Sequence, residues 1–120
     1  MSRVNHLTHK GVAVLHLDLS NLKPGEYAPV FAEALRALAA AAPGSARVVT
    51  DVGGARFDPS TIVEFERFVR EATPRCLANA VIGVTGIQRV AWLGLKPLYR
   101  CPVELHASLG AGKDWVAGYK

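Results

Sequence analysis

The apolar positions of this chain switch repeatedly between a period near two and a period near 3.6, and the switches mark out its elements. Val4 to Leu7 and Val12 to Leu19 read as strands with His9-Lys10-Gly11 as the turn between them, so the chain opens on a β-hairpin. Ser20 to Gly25, containing Pro24, is a loop. Tyr27, Val30, Phe31, Ala34, Leu35 and Leu38 then recur at helical spacing and predict an amphipathic helix that stops near Pro43-Gly44. Arg47 to Val52 is the next strand. Asp58-Pro59 opens a second helix: the carboxylate can accept N-terminal backbone N–H groups, and proline at the first helical position lacks only an N–H that has no helical partner. Ile62, Phe65, Phe68 and Val69 form its buried stripe, and it ends near Thr73-Pro74. Ala78 to Val84 is a third long strand, a helix runs from about Gly86 to Lys96 before Pro97, Val103 to Ala107 is a last strand, and Lys113 to Tyr119 forms a short terminal helix.

This order predicts an α/β fold in which the N-terminal hairpin is followed by repeated β-α units. The sheet is expected to be mixed, mostly parallel and five-stranded, with right-handed crossovers. If each strand adds beside the last, the helices lie mainly on one face. Along the strands His16 with Asp18, Arg47, Asn79, and Glu104 with His106 alternate with Leu15, Leu17, Val48, Ala80, Ile82 and Leu105. One face is therefore expected to be partly wet, because a sheet covered on both faces reads as continuously apolar. The length suits a single domain spanning residues 1–120, without repeats, low-complexity tracts or linkers.

Composition narrows the function classes. Half the residues are hydrophobic and a fifth are charged, as in ordinary globular chains. The net charge of +4 is spread along the chain with no run of like charges, so a nucleic-acid partner is not expected. The nearly apolar stretch Leu35 to Pro43 is too short to span a bilayer, and the first residues lack the apolar segment of a signal peptide; a cytoplasmic location is expected. Cys76 and Cys101 belong to no CxxC pair, but each comes just before an apolar strand-like run, which can place them at one end of a parallel sheet. Ordinary semi-buried thiols are the preferred reading, and a redox pair or a shared metal the alternative.

Two strand-to-helix corners carry the candidate ligand chemistry. In "TDVGGARFDP", Gly53-Gly54 can adopt backbone angles closed to other residues and expose N–H groups, Arg56 is close by, and the helix after Asp58 presents its positive end. "VTGIQRV" repeats the logic at the next strand, with Thr85 or Gly86 as helix N-cap. The two corners would be neighbours at the carboxyl end of the sheet, where open α/β sheets bind ligands. Asp51, Gly53, Gly54, Arg56, Thr85 and Gly86 are the candidate ligand-binding set; the plainer and preferred reading is two tight, capped turns.

Other constellations fail on detail. "LGAGKD" lacks the first glycine of a phosphate loop, where Ala107 stands, and has Asp114 at the Mg²⁺-binding position. His16, Asp18 and His106 could suggest a metal, but their strands would be three spacings apart, roughly 14 Å at about 4.8 Å per strand. No catalytic triad, HExxH or paired CxxC pattern occurs, so no catalytic residue, metal or cofactor is assigned. In the 86–96 helix, Ile87, Val90, Ala91 and Leu95 read as the core stripe, which leaves Trp92 and Leu93 outside it with Arg89 and Lys96 alongside. Arg89, Trp92, Leu93 and Lys96 are the expected interface, for a protein partner, a homodimer or, less favoured, an anionic membrane surface. The alternative is a Trp92 packed under the Tyr99-Arg100 loop.

The hairpin ending "LHLDLS", the corner "TDVGGARFDP", the stretch "VIGVTGIQRV" and the ending "GKDWV" together resemble the STAS/SEC14-like group of small uncharacterised bacterial proteins, related in fold to the anti-sigma-factor antagonists. The resemblance covers nearly the whole chain. It implies a mixed sheet with one antiparallel edge strand and no enzymatic activity. Antagonists of this fold are switched by phosphorylation of a serine in a strand-to-helix Asp-Ser-Ser-Gly motif. Here that motif falls on Asp51-Val52-Gly53-Gly54, and both serines are gone. The expected function is a non-catalytic regulatory or protein-interaction domain without the phosphorylation switch; the alternative is a small carrier of an apolar, lipid-like or anionic ligand.

Overall fold

A computed structural model describes residues 2–86 and 88–120; the expectation for Ile87 lies outside the described residues. The elements are β1 (Val4–His9), β2 (Val12–Asp18), α1 (Tyr27–Ala39), β3 (Ala46–Asp51), α2 (Pro59–Ala72), β4 (Cys76–Ile82), α3 (Gln88–Leu95), β5 (Val103–His106) and α4 (Leu109–Gly118). Single 3₁₀ turns, Thr73–Arg75 and Lys96–Leu98, precede β4 and follow α3. No helix among the described residues is long and apolar enough to cross a membrane.

The strands lie in the order β1-β2-β3-β4-β5, with β1 antiparallel to β2 and the rest parallel, as the alternation of periods predicts. The hairpin closes through Lys10 and Gly11, both at positive φ, a two-residue turn whose twist matches that of its strands. Helices α1, α2 and α3 cover one face through a cluster that includes Leu15, Leu17, Val48, Val81, Phe31, Phe65 and Trp92. Its aromatic rings interlock: Phe31 stacks on Phe68 at 4.3 Å, and Phe31 and Tyr27 meet Phe65 edge-on. In α2, Asp58 accepts the Thr61 hydroxyl at 2.8 Å, which turns Thr61 inward and leaves Ile62 half-buried in its place.

The opposite face is not left wet. Helix α4 lies across β2, β3 and β4 and buries Val14, Val49, Ala78, Ala80 and Ile82 beneath Val116. It starts at Leu109, four residues before the expected Lys113, because Ser108 caps it by accepting the Ala111 N–H at 3.1 Å. The "LGAGKD" stretch is therefore the first turns of a helix. Gly112 explains its glycines in part: a Cβ there would sit 3.3 Å from Ala80 and Val49, so the missing side chain lets α4 approach the sheet closely. Arg47 donates to the carbonyls of Val116 at 2.9 Å and Tyr119 at 3.1 Å, a cation at the negative end of the helix. At the other side Asp114 meets His9 at 2.7 Å and Lys10 at 3.1 Å, and these hydrogen bonds hold its carboxyl below the usual carboxylate range.

The face assignment of β4 is corrected by the register. Val48 pairs with Asn79, so Asn79 faces α1–α3 while Ala80 and Ile82 face α4. Asn79 is tolerated there because the Thr50 hydroxyl donates to its side-chain oxygen at 3.2 Å.

If α4 is seated through Gly112, Gly112→Val should destabilise the fold by about 1–3 kcal/mol through overpacking. Gly94→Ala, at an exposed position of α3 where a Cβ meets nothing within 4 Å, should stabilise by about 0.5–1 kcal/mol. Urea denaturation of both variants checks the pair; a neutral Gly112→Val would mean α4 is seated elsewhere.

Candidate functional site

The two corners at the carboxyl ends of β3 and β4 are built against one another. Asp51 ends β3 and turns its side chain forward to accept the Gly53 N–H at 2.8 Å. Gly54 sits at φ +68°, and the chain is then drawn against the 19–22 segment: Asn21 N–H donates to Gly53 O at 2.9 Å and Arg56 N–H to Leu22 O at 2.8 Å. From beneath, the fully buried Tyr27 hydroxyl donates to Arg56 O at 2.9 Å, and burial pushes its pKa up to about 12. The second corner follows β4. Gly83, at φ +84°, lies so close to Gly53 that a Cβ would come within 2.7 Å of the Gly53 Cα. Here glycine is required twice over, by the backbone angle and by the neighbouring backbone.

Gln88 joins the corners. Its amide nitrogen donates to Val52 O at 2.8 Å and Ala55 O at 3.0 Å, and its oxygen accepts the Thr85 N–H at 3.0 Å. The side chain is buried. Sequence reasoning passed over both Gly83 and Gln88. A signal for Gln88 existed: Thr85-x-x-Gln88 has capping-box spacing, in which the third residue's side chain reaches back to the cap N–H.

This arrangement decides how the candidate ligand residues read. The structure brings Asp51, Gly53 and Gly54 together with Gly83, while Arg56, Thr85 and Gly86 are exposed. Three of the backbone donors at this corner are engaged: Gly53 N–H by Asp51, Ala55 N–H by Val52 O, Arg56 N–H by Leu22 O. The start of α2 already holds a carboxylate, since Asp58 accepts from Thr61 N–H, Thr61 Oγ1 and Ser60 Oγ, each at 2.8 Å. These hydrogen bonds hold Asp58 below its ordinary carboxylate pKa of 3.8. Thr85 lines instead an open cleft of about 410 Å³ with Gly83, Val84, Arg89, Leu105 and His106. Among the described residues, no three His, Cys, Asp or Glu side chains are grouped to hold a metal ion.

The α3 stripe is also corrected. Trp92 is buried, not exposed, and its ring packs against Tyr99 with centroids 5.7 Å apart. Gln88, Trp92 and Leu95 face the core, whereas Val90 is 72% exposed and Leu93 71%. The polar Gln88 takes an inward position because two backbone carbonyls await it, and this rotates Val90 outward. Arg89 and Lys96 are exposed, as expected. Beneath α3, Phe57, Phe65, Gln88, Trp92 and Tyr99 help to line a cavity of about 30 Å³. That is room for a water molecule, not for a lipid, and Leu93 points away from it.

Two outcomes test this reading. Gln88→Met should cost about 1–3 kcal/mol in urea unfolding, because it strands the Ala55 carbonyl and leaves Val52 O with only the Ala55 N–H; an unchanged midpoint would remove Gln88 as the link. Because the folded pKa of Asp58 is lowered, its contribution is complete above its unfolded pKa and fades as pH falls below 3.8 through the folded value. The stability gap between wild type and Asp58→Ala, followed by thermal melts, should therefore narrow on acidification; a gap that persists in acid would contradict the capping assignment.

Neither a family model nor a curated protein matches the chain. Among solved structures it is similar to an uncharacterised protein of the DUF3478 family with a SpoIIAA-like fold from Shewanella loihica PV-4, at 12% identity over 94% of this chain and 91% of that one, with a TM-score of 0.75. The fold of this chain is SpoIIAA-like, that is, STAS-like.

Proposed function

We propose that this chain is a non-catalytic STAS-like interaction domain that works through the outer face of α3, engaging a protein partner, in the simplest case a second copy of itself. The observation that carries the reading is the pair Val90 and Leu93, two large apolar side chains one helical turn apart and both more than two-thirds exposed. Exposed apolar groups clustered in this way mark interaction surfaces more often than chance placement does. Arg89 on α3 and Lys96 in the 3₁₀ turn that follows it border Leu93 and supply a basic rim. A basic rim steers an acidic partner, and between two copies of this chain it adds a repulsion that the Val90–Leu93 contact must outweigh. The absence of a nucleophile, base and acid pattern in the sequence motivates the non-catalytic part of the proposal. The missing serines motivate the rest: with Val52 and Gly53 in the motif, the 50–58 corner offers no hydroxyl at the switch position.

Sedimentation velocity tests the surface. Wild type should self-associate reversibly, and Leu93→Asp should weaken association tenfold or more while leaving the melting midpoint nearly unchanged, since Leu93 makes little core contact. A wild type that remains monomeric at its highest soluble concentration, or a Leu93→Asp that associates as well as wild type, would overturn self-association through α3. Turnover in a broad hydrolase and phosphatase screen, lost on Asp51→Asn, would overturn the non-catalytic reading.

A further inference from the structure

We propose that Cys76 and Cys101 form a redox-active dithiol that small-molecule disulfides convert, reversibly, into an intramolecular disulfide. The fold forces the two residues together. Cys76 opens β4 and lies between Thr73 and Asn79; Cys101 lies between Arg100 and Pro102 in the connection to β5. Two hydrogen bonds bracket both cysteines at once: Arg100 N–H donates to the buried Thr73 hydroxyl at 2.9 Å, and Asn79 N–H donates to Pro102 O at 3.0 Å. Both side chains lie on the α1–α3 face in one cluster without a covalent link, and the Cys76 thiol donates to Ala72 O at 3.5 Å. Adjacent parallel strands stand about 4.8 Å apart, within the Cα separation a disulfide spans.

The two thiols are not equivalent. Cys76 is buried and Cys101 is half-exposed, so only Cys101 is open to an incoming reagent. The neighbouring Cys76 thiol lowers the Cys101 pKa against the opposing effect of burial, while the Cys101 thiol and burial together push Cys76 up. An accessible thiol of lowered pKa beside a deeper thiol of raised pKa is the division of labour of an attacking and a resolving cysteine. The Cys101 thiolate attacks one sulfur of oxidised glutathione and releases a glutathione thiolate, leaving a mixed disulfide on Cys101. Cys76 then gives up its proton to solvent and attacks the Cys101 sulfur, and the second glutathione thiolate leaves. The two cysteines lose two electrons, and the glutathione disulfide gains them as two thiols.

The link would tie the start of β4 to the segment that carries Tyr99, the ring against which Trp92 and thus α3 rest. Oxidation would stiffen the seat of α3 without touching its outer face. The inference is independent of what α3 binds.

Native wild type incubated with oxidised glutathione at neutral pH, then alkylated and mapped without reduction, decides it. The expected result is one intrachain Cys76–Cys101 link, reversed by dithiothreitol, with the melting midpoint raised by about 5 °C or more. Cys76→Ala should accumulate one glutathione on Cys101, and Cys101→Ser should react at least tenfold more slowly than Cys76→Ala. Wild type that keeps two alkylatable thiols, stops at the mixed disulfide, or links only between chains overturns the proposal, whatever the variants do.

Discussion

Both amide hydrogens of Gln88 and its side-chain oxygen are used inside the protein, and the arrangement of the carboxyl end of the sheet depends on those three bonds. The Ala55 carbonyl points into a space between two corners where Gln88 is its donor, and Val52 O accepts from both Gln88 and the Ala55 N–H. A buried carbonyl without a partner costs on the order of 1–3 kcal/mol, so the Ala55 carbonyl alone makes the position of one amide side chain decisive. Once Gln88 is turned inward, the rotation of α3 about its axis is set. Trp92 and Leu95 follow it into the core, and Val90 and Leu93 are left outside. The exposed apolar face of α3 is thus a consequence of a polar contact made on its inner face.

Much of the fold was legible because its signals are local. The change from period two to period 3.6 marks each strand and helix, and the sequential order β1 to β5 follows from short crossovers. Asp58-Pro59 announces the start of α2, and the cap it predicts is present. Asp51 and Gly53-Gly54 were read as a tight, capped corner, and that is how they pack. What failed depended on contacts distant in the chain. Asn79 faces inward only because Thr50, 29 residues earlier, offers a hydroxyl. Helix α3 is apolar on too many sides for its pattern to choose a face, and the residue that chooses is a glutamine. The early start of α4 was hidden by two glycines, residues that weaken a helix in isolation; Gly112 earns its place only against Ala80 and Val49.

Covering both faces has a consequence for where function can reside. With α1–α3 on one side and α4 on the other, the central strands are covered on both faces, and the Gly53, Ala55 and Arg56 N–H groups are engaged internally. The outward features on which the proposals rest are the outer face of α3, the cleft of about 410 Å³ beside it, and the half-exposed thiol of Cys101. All three border the segment between β4 and β5. The proposed recognition surface and the proposed redox pair would thus share one connection.

Amide hydrogen exchange followed by NMR tests the central claim most directly. Thr85 is an exposed residue in a turn, and an unpartnered amide there would exchange at nearly the rate of a free peptide. If Gln88 joins the corners, the Thr85 amide is slowed at least tenfold and loses that protection in Gln88→Met. A Thr85 amide exchanging at the free-peptide rate in wild type would contradict the account.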